Sequence, residues 1–344
     1  MQEFYEAYTI TRRTGFHDIP DIPGNNEEKY MELSDAANDE VQNRLTRTTP
    51  PMDADVGKNL LLEAKEIMDR LGVKFFLRQG TCLGAIRDNS FIPWDDDLDL
   101  GIIVGHNGFT EQSIDLVLEA FRESGYYVQA QRSDSLVIST LLKNEIRIDL
   151  LFLSVIDEQI YHWPGIWFPV SLFKELKEIN FLGERFLVPN PPEEYLRIKY
   201  GPDWQTPKQF GYAKDVVDNI LEEPSLGMLK GLKRFLLGFL NPKNTVRLKI
   251  LDQNGAPVYK AEVRVVGLGS FHTNRQGYAR LYLNNDGYSS SVPSIGIGET
   301  YAMVISYGDH EEVLYEEILT PTETYQYRPD NAHPEGRIFV LSQE

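Results

Sequence analysis

Hydrophobic residues recur at helical spacing between residues 55 and 71. They lie three or four positions apart, at Leu60, Leu61, Ala64, Ile67, Met68 and Leu71. Gly72 follows at the position that a C-cap glycine takes. The pattern predicts an amphipathic helix over 55–71 that ends at Gly72.

After Gly72 the chain alternates between short apolar runs and further helical spacing. Strands are predicted at 73–77, 98–104, 126–131, 136–142 and 146–153, and helices at 81–87 and 111–123. Helices interleaved with strands in this order favour an α+β domain built around a mixed sheet.

Beyond residue 163 the patterns are of three kinds. Residues 164–220 show no clear period, except that a helix is predicted to start after Pro192 and to stop at Gly201. Residues 225–244 form an amphipathic, basic pattern that Pro242 ends. From Thr245 onward, short alternating strands separated by turn residues predict an antiparallel β-sandwich.

These changes in the pattern of hydrophobic and polar residues divide the chain into four segments. Residues 1–52 are polar, contain several prolines and show no sustained period, which predicts an arm that is either disordered or laid over the body of the protein. We predict a catalytic domain over 53–224, a linker helix over 225–244 and a β-sandwich domain over 245–344.

Composition and charge limit the class of protein. The 344 residues suffice for two domains, and the net charge of −18 argues against a nucleic-acid partner. Cys82 is the single cysteine, which excludes an internal disulfide and a CxxC-type zinc site. The N-terminus lacks the layout of a secretory signal, and no apolar stretch approaches the ~20 residues of a membrane span. The expected location is the cytoplasm.

Four aspartates fall within residues 95–99, where a buried strand begins. Strand side chains alternate between faces, so Asp97 and Asp99 share one face, roughly 6–7 Å apart along the chain. Two carboxylates placed in this way can both reach one hard cation, and Mg²⁺, or Mn²⁺ in its place, suits carboxylates combined with substrate phosphates. Asp149 lies on the polar face of strand 146–153 and is the expected third ligand.

The acidic stretch has two other interpretations, a solvated turn and a calcium loop. Acidic clusters are commonly solvated turns, but this one continues into an apolar strand. An EF-hand calcium loop fails, because Leu100 replaces the glycine at position 6 and His106 the glutamate at position 12.

A phosphate site is predicted just upstream of the aspartates. Gly80 and Thr81 follow strand 73–77 and open a helix, where backbone N–H groups and a hydroxyl can hold phosphate oxygens. Arg87 at the end of that helix is a second candidate contact. The alternatives, a structural glycine turn and an ordinary surface arginine, stay open.

The stretch GTCLGAIRDNSFIPWDDDLDLGI, residues 80–102, closely resembles the signature of the LicD family, which includes fukutin and the fukutin-related protein. Residues 192–207 resemble a second feature of that family, and the resemblance spans roughly 55–215. It implies a nucleotidyltransferase-like fold with a polymerase-β-type core. It also implies transfer of a phospho-substituent, such as phosphocholine or ribitol phosphate, from a CDP-linked donor to a hydroxyl of a glycan or lipid-linked glycan.

By position, Asp97 and Asp99 match the metal-binding pair of the family, and Asp95 matches a further acid. Tyr200 and Trp204 in the second feature are candidates for stacking on a base or sugar, or else core residues. Two other functions stay open: a nucleotidylyltransferase that moves NMP onto a sugar phosphate or a protein, and a degenerate scaffold that binds glycans.

The C-terminal hundred residues lie outside this resemblance. The basic helix at 225–244 has two interpretations, a packed interdomain helix or a peripheral contact with the inner face of an anionic membrane. The C-terminal strands resemble carboxypeptidase-regulatory or transthyretin-like modules, which implies an all-β immunoglobulin/transthyretin-like sandwich.

Overall fold

The computed structural model of the protein describes residues 50–132, 136–162, 165–209, 212–222, 244–283, 299–329 and 340–344. The predicted arm before residue 50 and nearly all of the predicted basic helix at 225–244 lie outside these ranges. Among the described helices, none combines the length and the apolar character needed to cross a bilayer.

The predicted helix over 55–71 is confirmed as the first element, and its ends are capped by local residues. The Asp53 side chain accepts hydrogen bonds from the backbone N–H groups of Asp55 and Val56, both at 3.0 Å. At the other end Gly72 has φ +67°, and the Val73 N–H donates to the Met68 carbonyl at 2.9 Å, which completes a Schellman cap. This cap shortens the strand that was predicted over 73–77.

The first eight elements form the α+β core that the sequence predicts. They are α1 Ala54–Arg70, β1 Phe76–Leu77, α2 Gln79–Arg87, β2 Asp97–Ile103, α3 Glu111–Glu123, β3 Tyr127–Arg132, β4 Leu136–Lys143 and β5 Ile146–Leu153.

The strands of this core form one mixed sheet in the order β1-β2-β5-β4-β3. Strands β2 and β5 pair in parallel, and the other neighbours pair antiparallel. Every residue of β2 is buried, because this strand lies inside the sheet with apolar side chains packed against it. The two aspartates that begin β2 are therefore held by a rigid, buried strand.

Short hairpins follow β5 and continue through the segment without a clear period. Its elements, with the helices that follow, are β6 Val155–Ile156, β7 Gln159–His162, β8 Ile166–Pro169, α4 Ser171–Lys174, β9 Lys177–Phe181, β10 Glu184–Val188, α5 Pro192–Tyr200 and α6 Tyr212–Glu222. Helix α5 confirms the helix predicted after Pro192.

The described strands of the C-terminal part are β11 Thr245–Ile250, β12 Glu262–Val265, β13 Gly269–His272, β14 Tyr278–Tyr282, β15 Glu299–Tyr307, β16 His310–Leu319, β17 Thr324–Tyr327 and β18 Ser342–Gln343. They form two four-stranded sheets, in the orders β14-β11-β17-β18 and β13-β12-β15-β16. Buried residues from both sheets, including Leu248 and Met303, belong to one hydrophobic cluster. The immunoglobulin/transthyretin-like class of this part stays a prediction.

Helix α6 contacts both parts of the protein. Val216 belongs to the core around the mixed sheet, whereas its neighbour Val217 packs in a cluster with Val266 and Val304 of the C-terminal part. Lys214 Nζ also lies 2.7 Å from Glu311 Oε1 of β16. The two parts therefore share a packed interface.

The second glycine of the GTCLG stretch is required by a close crossing of the backbone. Gly84 lies in α2 where the chain at 90–92 passes over the helix, and a Cβ there would come 2.5 Å from the Ser90 carbonyl oxygen. The Ile92 backbone nitrogen would be 3.2 Å away. Backbone atoms cannot rotate aside as a side chain can, so this position accepts only glycine without a shift of the main chain.

Gly84→Ala is expected to lower the free energy of unfolding by about 1–3 kcal/mol, because overpacking outweighs the gain of about 0.5–1 kcal/mol in helix propensity. The matched control is Gly57→Ala in α1, whose new Cβ would meet the flexible Met52 side chain instead. Urea unfolding of both variants measures the effect. Equal stability of the two variants would contradict the role given to the crossing.

Candidate active site

The pairing of β2 with β5 brings the three predicted metal ligands onto adjoining strands. Asp99 lies directly opposite Asp149, and Asp97 lies opposite Arg147. Because side chains alternate along both strands, all four side chains project from the same face of the sheet. The predicted convergence of Asp97, Asp99 and Asp149 is thus present in the backbone register, and their catalytic roles stay predictions.

Asp99 is held by the beginning of α2. Its Oδ1 accepts hydrogen bonds from Arg78 Nη1 and Gln79 Nε2, both at 3.1 Å, and its Oδ2 accepts one from the Gly80 N–H at 3.0 Å. The backbone N–H of Asp99 donates to Thr81 Oγ1 at 2.8 Å. In this structure the two groups that were predicted to bind phosphate, on Gly80 and Thr81, therefore connect α2 to β2. Their phosphate role stays a prediction.

Asp95 lies against the N-terminus of α2, beside the first glycine of the motif. A Cβ on Gly80 would collide with the Asp95 carboxylate, so a larger residue here would have to displace that side chain. A carboxylate at this end of a helix is favoured by the helix dipole. Burial, together with the nearby charges of Asp99 and Asp96, nevertheless raises the pKa of Asp95 to about 8.

Arg147 supplies positive charge among the carboxylates, and the sequence analysis gave it no role. Its guanidinium donates to Asp97 Oδ2 through both Nη2 and Nε. Its Nε also lies 3.6 Å from Asp149 Oδ1, and its Nη2 lies 3.9 Å from Asp96 Oδ1. The available signal was its place on the polar face of β5, two residues before Asp149.

The donor set fits a hard divalent cation. Among the described residues, one group of three carboxylates has ligand oxygens within 4.8 Å of one another, and it consists of Asp95, Asp96 and Asp97. Burial raises the pKa of Asp97 well above its usual range, and the charges of Asp99 and Asp149 add to this effect while Arg147 opposes it. Crowded, buried carboxylates of this kind are stabilised by a bound cation, and their oxygens are the ligands that Mg²⁺ and Mn²⁺ prefer.

This group differs in part from the predicted set of Asp97, Asp99 and Asp149. The difference has a physical reason, because Arg78 and its neighbours hold both oxygens of Asp99, and Arg147 lies between Asp97 and Asp149.

Arg78 contacts a buried chain of basic side chains that was not predicted from the sequence. Arg78 Nη2 lies 2.8 Å from His162 Nε2, and Lys199 Nζ lies 3.4 Å from His162 Nδ1. Lys199 is 2% exposed, and Tyr195 on the same face of α5 accepts a hydrogen bond from the Gln79 N–H at 3.1 Å. A lysine on the buried face of an amphipathic helix was the signal that could have revealed this chain.

The remaining predicted residues lie around this centre. Tyr200 and Trp204 are half-buried and pack against the core of the mixed sheet. Arg87 donates to Asp88 through Nε and Nη2, at 2.9 and 2.7 Å. Stacking by the two aromatic residues and phosphate binding by Arg87 stay predictions.

Lys199→Met is expected to stabilise the protein most below pH 7. Burial, and next the charge of Arg78, lower the pKa of Lys199 to about 7. Between that value and the ordinary lysine pKa the unfolded chain binds more protons, so wild-type stability rises with pH across this window. Since one pKa unit corresponds to about 1.4 kcal/mol, the advantage of the variant should shrink by about 1–3 kcal/mol between pH 6 and pH 9.

Urea unfolding at the two pH values tests this expectation, with Lys174→Met as the control at an exposed lysine of α4. A difference between Lys199→Met and wild type that is the same at both pH values would contradict it.

Known proteins resemble this chain over the same region. Residues 72–191 match the family model described as LicD/FKTN/FKRP, nucleotidyltransferase domain. Ribitol-5-phosphate transferase FKTN of Homo sapiens is 30% identical over 165 residues, which cover 44% of this chain and 33% of that protein. Ribitol 5-phosphate transferase FKRP of Homo sapiens is 26% identical over 164 residues, which cover 45% and 33%. The chain thus spans about a third of the length of these curated relatives.

Solved structures similar to this chain have low sequence identity and low TM-scores. The solution structure of the antibiotic-resistance factor ANT(2'')-Ia is 15% identical, covers 55% of this chain and 97% of its own, and has a TM-score of 0.34, too low to support an argument. The family match includes the glycine-containing start of α2, the acidic start of β2 and Asp149. Residues 72–191 therefore match the nucleotidyltransferase domain of the LicD/FKTN/FKRP family.

Proposed function

We propose that the protein is an enzyme that transfers a phospho-substituent, such as ribitol phosphate or phosphocholine, from a CDP-linked donor to a hydroxyl of a cell-surface glycan or its precursor. The observation that carries the proposal is the register of β2 and β5. It sets Asp97, Asp99 and Asp149 side by side at the N-terminus of α2, within the residues that match the LicD/FKTN/FKRP family.

The metal in this proposal is Mg²⁺, or Mn²⁺ in its place. Asp97 and Asp149 would hold it with the help of Asp95. Asp99 is paired with Arg78 in the buried part of the site. When bound, the cation neutralises charge on the donor pyrophosphate and makes an acceptor hydroxyl more acidic.

Protein side chains then orient the reacting groups of donor and acceptor. The acceptor oxygen forms a bond to the phosphorus of the substituent, the bond from that phosphorus to the bridging oxygen breaks, and CMP leaves with the electron pair. Asp149 is the proposed acceptor of the hydroxyl proton. Its side chain is 27% exposed, against 12% for Asp97 and 9% for Asp99, so an incoming hydroxyl reaches it most easily.

The donor and acceptor classes rest on the family. The curated relatives are named ribitol-5-phosphate transferases, and a transferase of that kind needs an activated phosphate donor and a hydroxyl acceptor. The N-terminus of α2 lies beside the acids, and its helix dipole suits the diphosphate of a CDP-linked donor.

The experiment uses the full chain with CDP-ribitol, CDP-glycerol and CDP-choline in turn, each with Mg²⁺ and a polysaccharide or lipid-linked acceptor. Release of CMP together with phosphorus transfer to the acceptor is the expected result, and chelation of the metal should abolish it. Mass spectrometry of the acceptor identifies the group that was moved.

Release of pyrophosphate from a nucleoside triphosphate, with NMP left on the acceptor, would replace this function by nucleotidyl transfer. Glycan binding without turnover of any donor would favour a non-catalytic scaffold instead.

A further inference from the structure

Arg147 differs from the other arginine of the site in how firmly it is held. Arg78 is 2% exposed and contacts Asp99 and His162, so it is part of the packed interior. The Arg147 side chain is 21% exposed, and its partners are the carboxylates of Asp96, Asp97 and Asp149. It is more exposed than Asp96 and Asp97, and less exposed than Asp149.

The position of Arg147 conflicts with the metal in the proposed function, on which this inference rests. Its guanidinium donates two hydrogen bonds to Asp97 Oδ2 and approaches Asp149 Oδ1, and both residues are proposed ligands. A dication and a guanidinium cannot share these oxygens at contact distance, because their mutual repulsion adds to the loss of ligand atoms. Metal binding through these two oxygens therefore requires the guanidinium to move.

The backbone keeps Arg147 beside the site when its side chain moves. Its Cα is fixed in β5 by pairing with Asp97 of β2 on one side and with Leu142 of β4 on the other. A released guanidinium therefore stays next to the carboxylates, where the donor pyrophosphate would lie. Guanidinium groups bind phosphate through two parallel hydrogen bonds, which an ammonium group does not reproduce.

We propose that Arg147 is an internal counter-cation, which neutralises Asp97 and Asp149 in the metal-free site and binds a phosphate oxygen of the nucleotide donor once the metal is bound. The residue competes with the metal and assists the nucleotide. Its removal should consequently change the two affinities in opposite directions.

The test is titration calorimetry on the full chain with Mn²⁺ alone, and then with CDP at saturating Mn²⁺. Arg147→Gln is expected to bind Mn²⁺ about tenfold more tightly than wild type and CDP about tenfold more weakly, each a change of about 1.4 kcal/mol. Arg185→Gln, at an arginine that is 73% exposed in β10, is the control and should change neither affinity.

Arg147→Lys keeps the positive charge and guards against misfolding of the glutamine variant. It is expected to bind Mn²⁺ within about threefold of wild type and to bind CDP more weakly, because its ammonium lacks the paired donors.

Weaker Mn²⁺ binding by Arg147→Gln would overturn the inference, since it would make Arg147 a residue that orients Asp97 for the metal. Tighter Mn²⁺ binding with unchanged CDP binding would overturn the phosphate role. Absence of Mn²⁺ binding by wild type and variants alike would overturn the proposed function together with the inference, so the two failures are distinguishable.

Discussion

Asp97→Asn is expected to lower the rate of transfer at least about 10²-fold, because loss of a residue that merely supports a metal ligand already costs 10–100-fold. An amide oxygen carries no negative charge, and Asp97 belongs both to the predicted set and to the carboxylate group that lies closest together. The fold should survive, since burial already disfavours the Asp97 charge, as its raised pKa indicates.

The measurement is CMP release at saturating donor, accompanied by thermal unfolding. Asp115→Asn provides the matched control, because it makes the same chemical change at an exposed carboxylate of α3. Near-normal transfer by Asp97→Asn would remove Asp97 from the catalytic centre and with it the proposed mechanism.

Arg78→Met is expected to have the largest effect on stability, a loss of about 3–5 kcal/mol in the free energy of unfolding. The substitution leaves Asp99 buried without its cationic partner and removes the contact with His162. Exposed ion pairs contribute far less, so Arg122→Met at the surface pair with Glu119 should cost under about 1 kcal/mol.

A double-mutant cycle isolates the pair. Asp99→Asn combined with Arg78→Met removes both charges, so the double variant should be more stable than the sum of the single losses predicts. Urea unfolding of the four proteins gives the coupling free energy. Simple additivity would show that Arg78 acts through packing rather than through Asp99.

The parts of the site that could be predicted from the sequence are those in which a pattern of side chains repeats along one strand or helix. Alternation along β2 and β5 placed Asp97, Asp99 and Asp149 on polar faces of buried strands, and the register confirms that these faces adjoin. The helical spacing of α1 and its glycine cap were confirmed for the same reason, because a repeated side-chain pattern reports which face is buried.

What the sequence did not predict depends on contacts between distant residues. Arg78, His162 and Lys199 meet across more than a hundred positions of chain. Lys199 falls on the buried face of a periodic helix, but that pattern does not indicate which distant residue it contacts. The hairpins from β6 to β10 are equally difficult, since strands of two to five residues are too short to show alternation.

Helix α6 constrains how this protein diversifies. Because Val216 and Val217 serve different cores, one turn of helix is fitted to two neighbours at once. An exchange of the C-terminal sheets for another module would have to preserve an apolar partner for Val217. The two parts are therefore expected to be inherited together rather than shuffled independently.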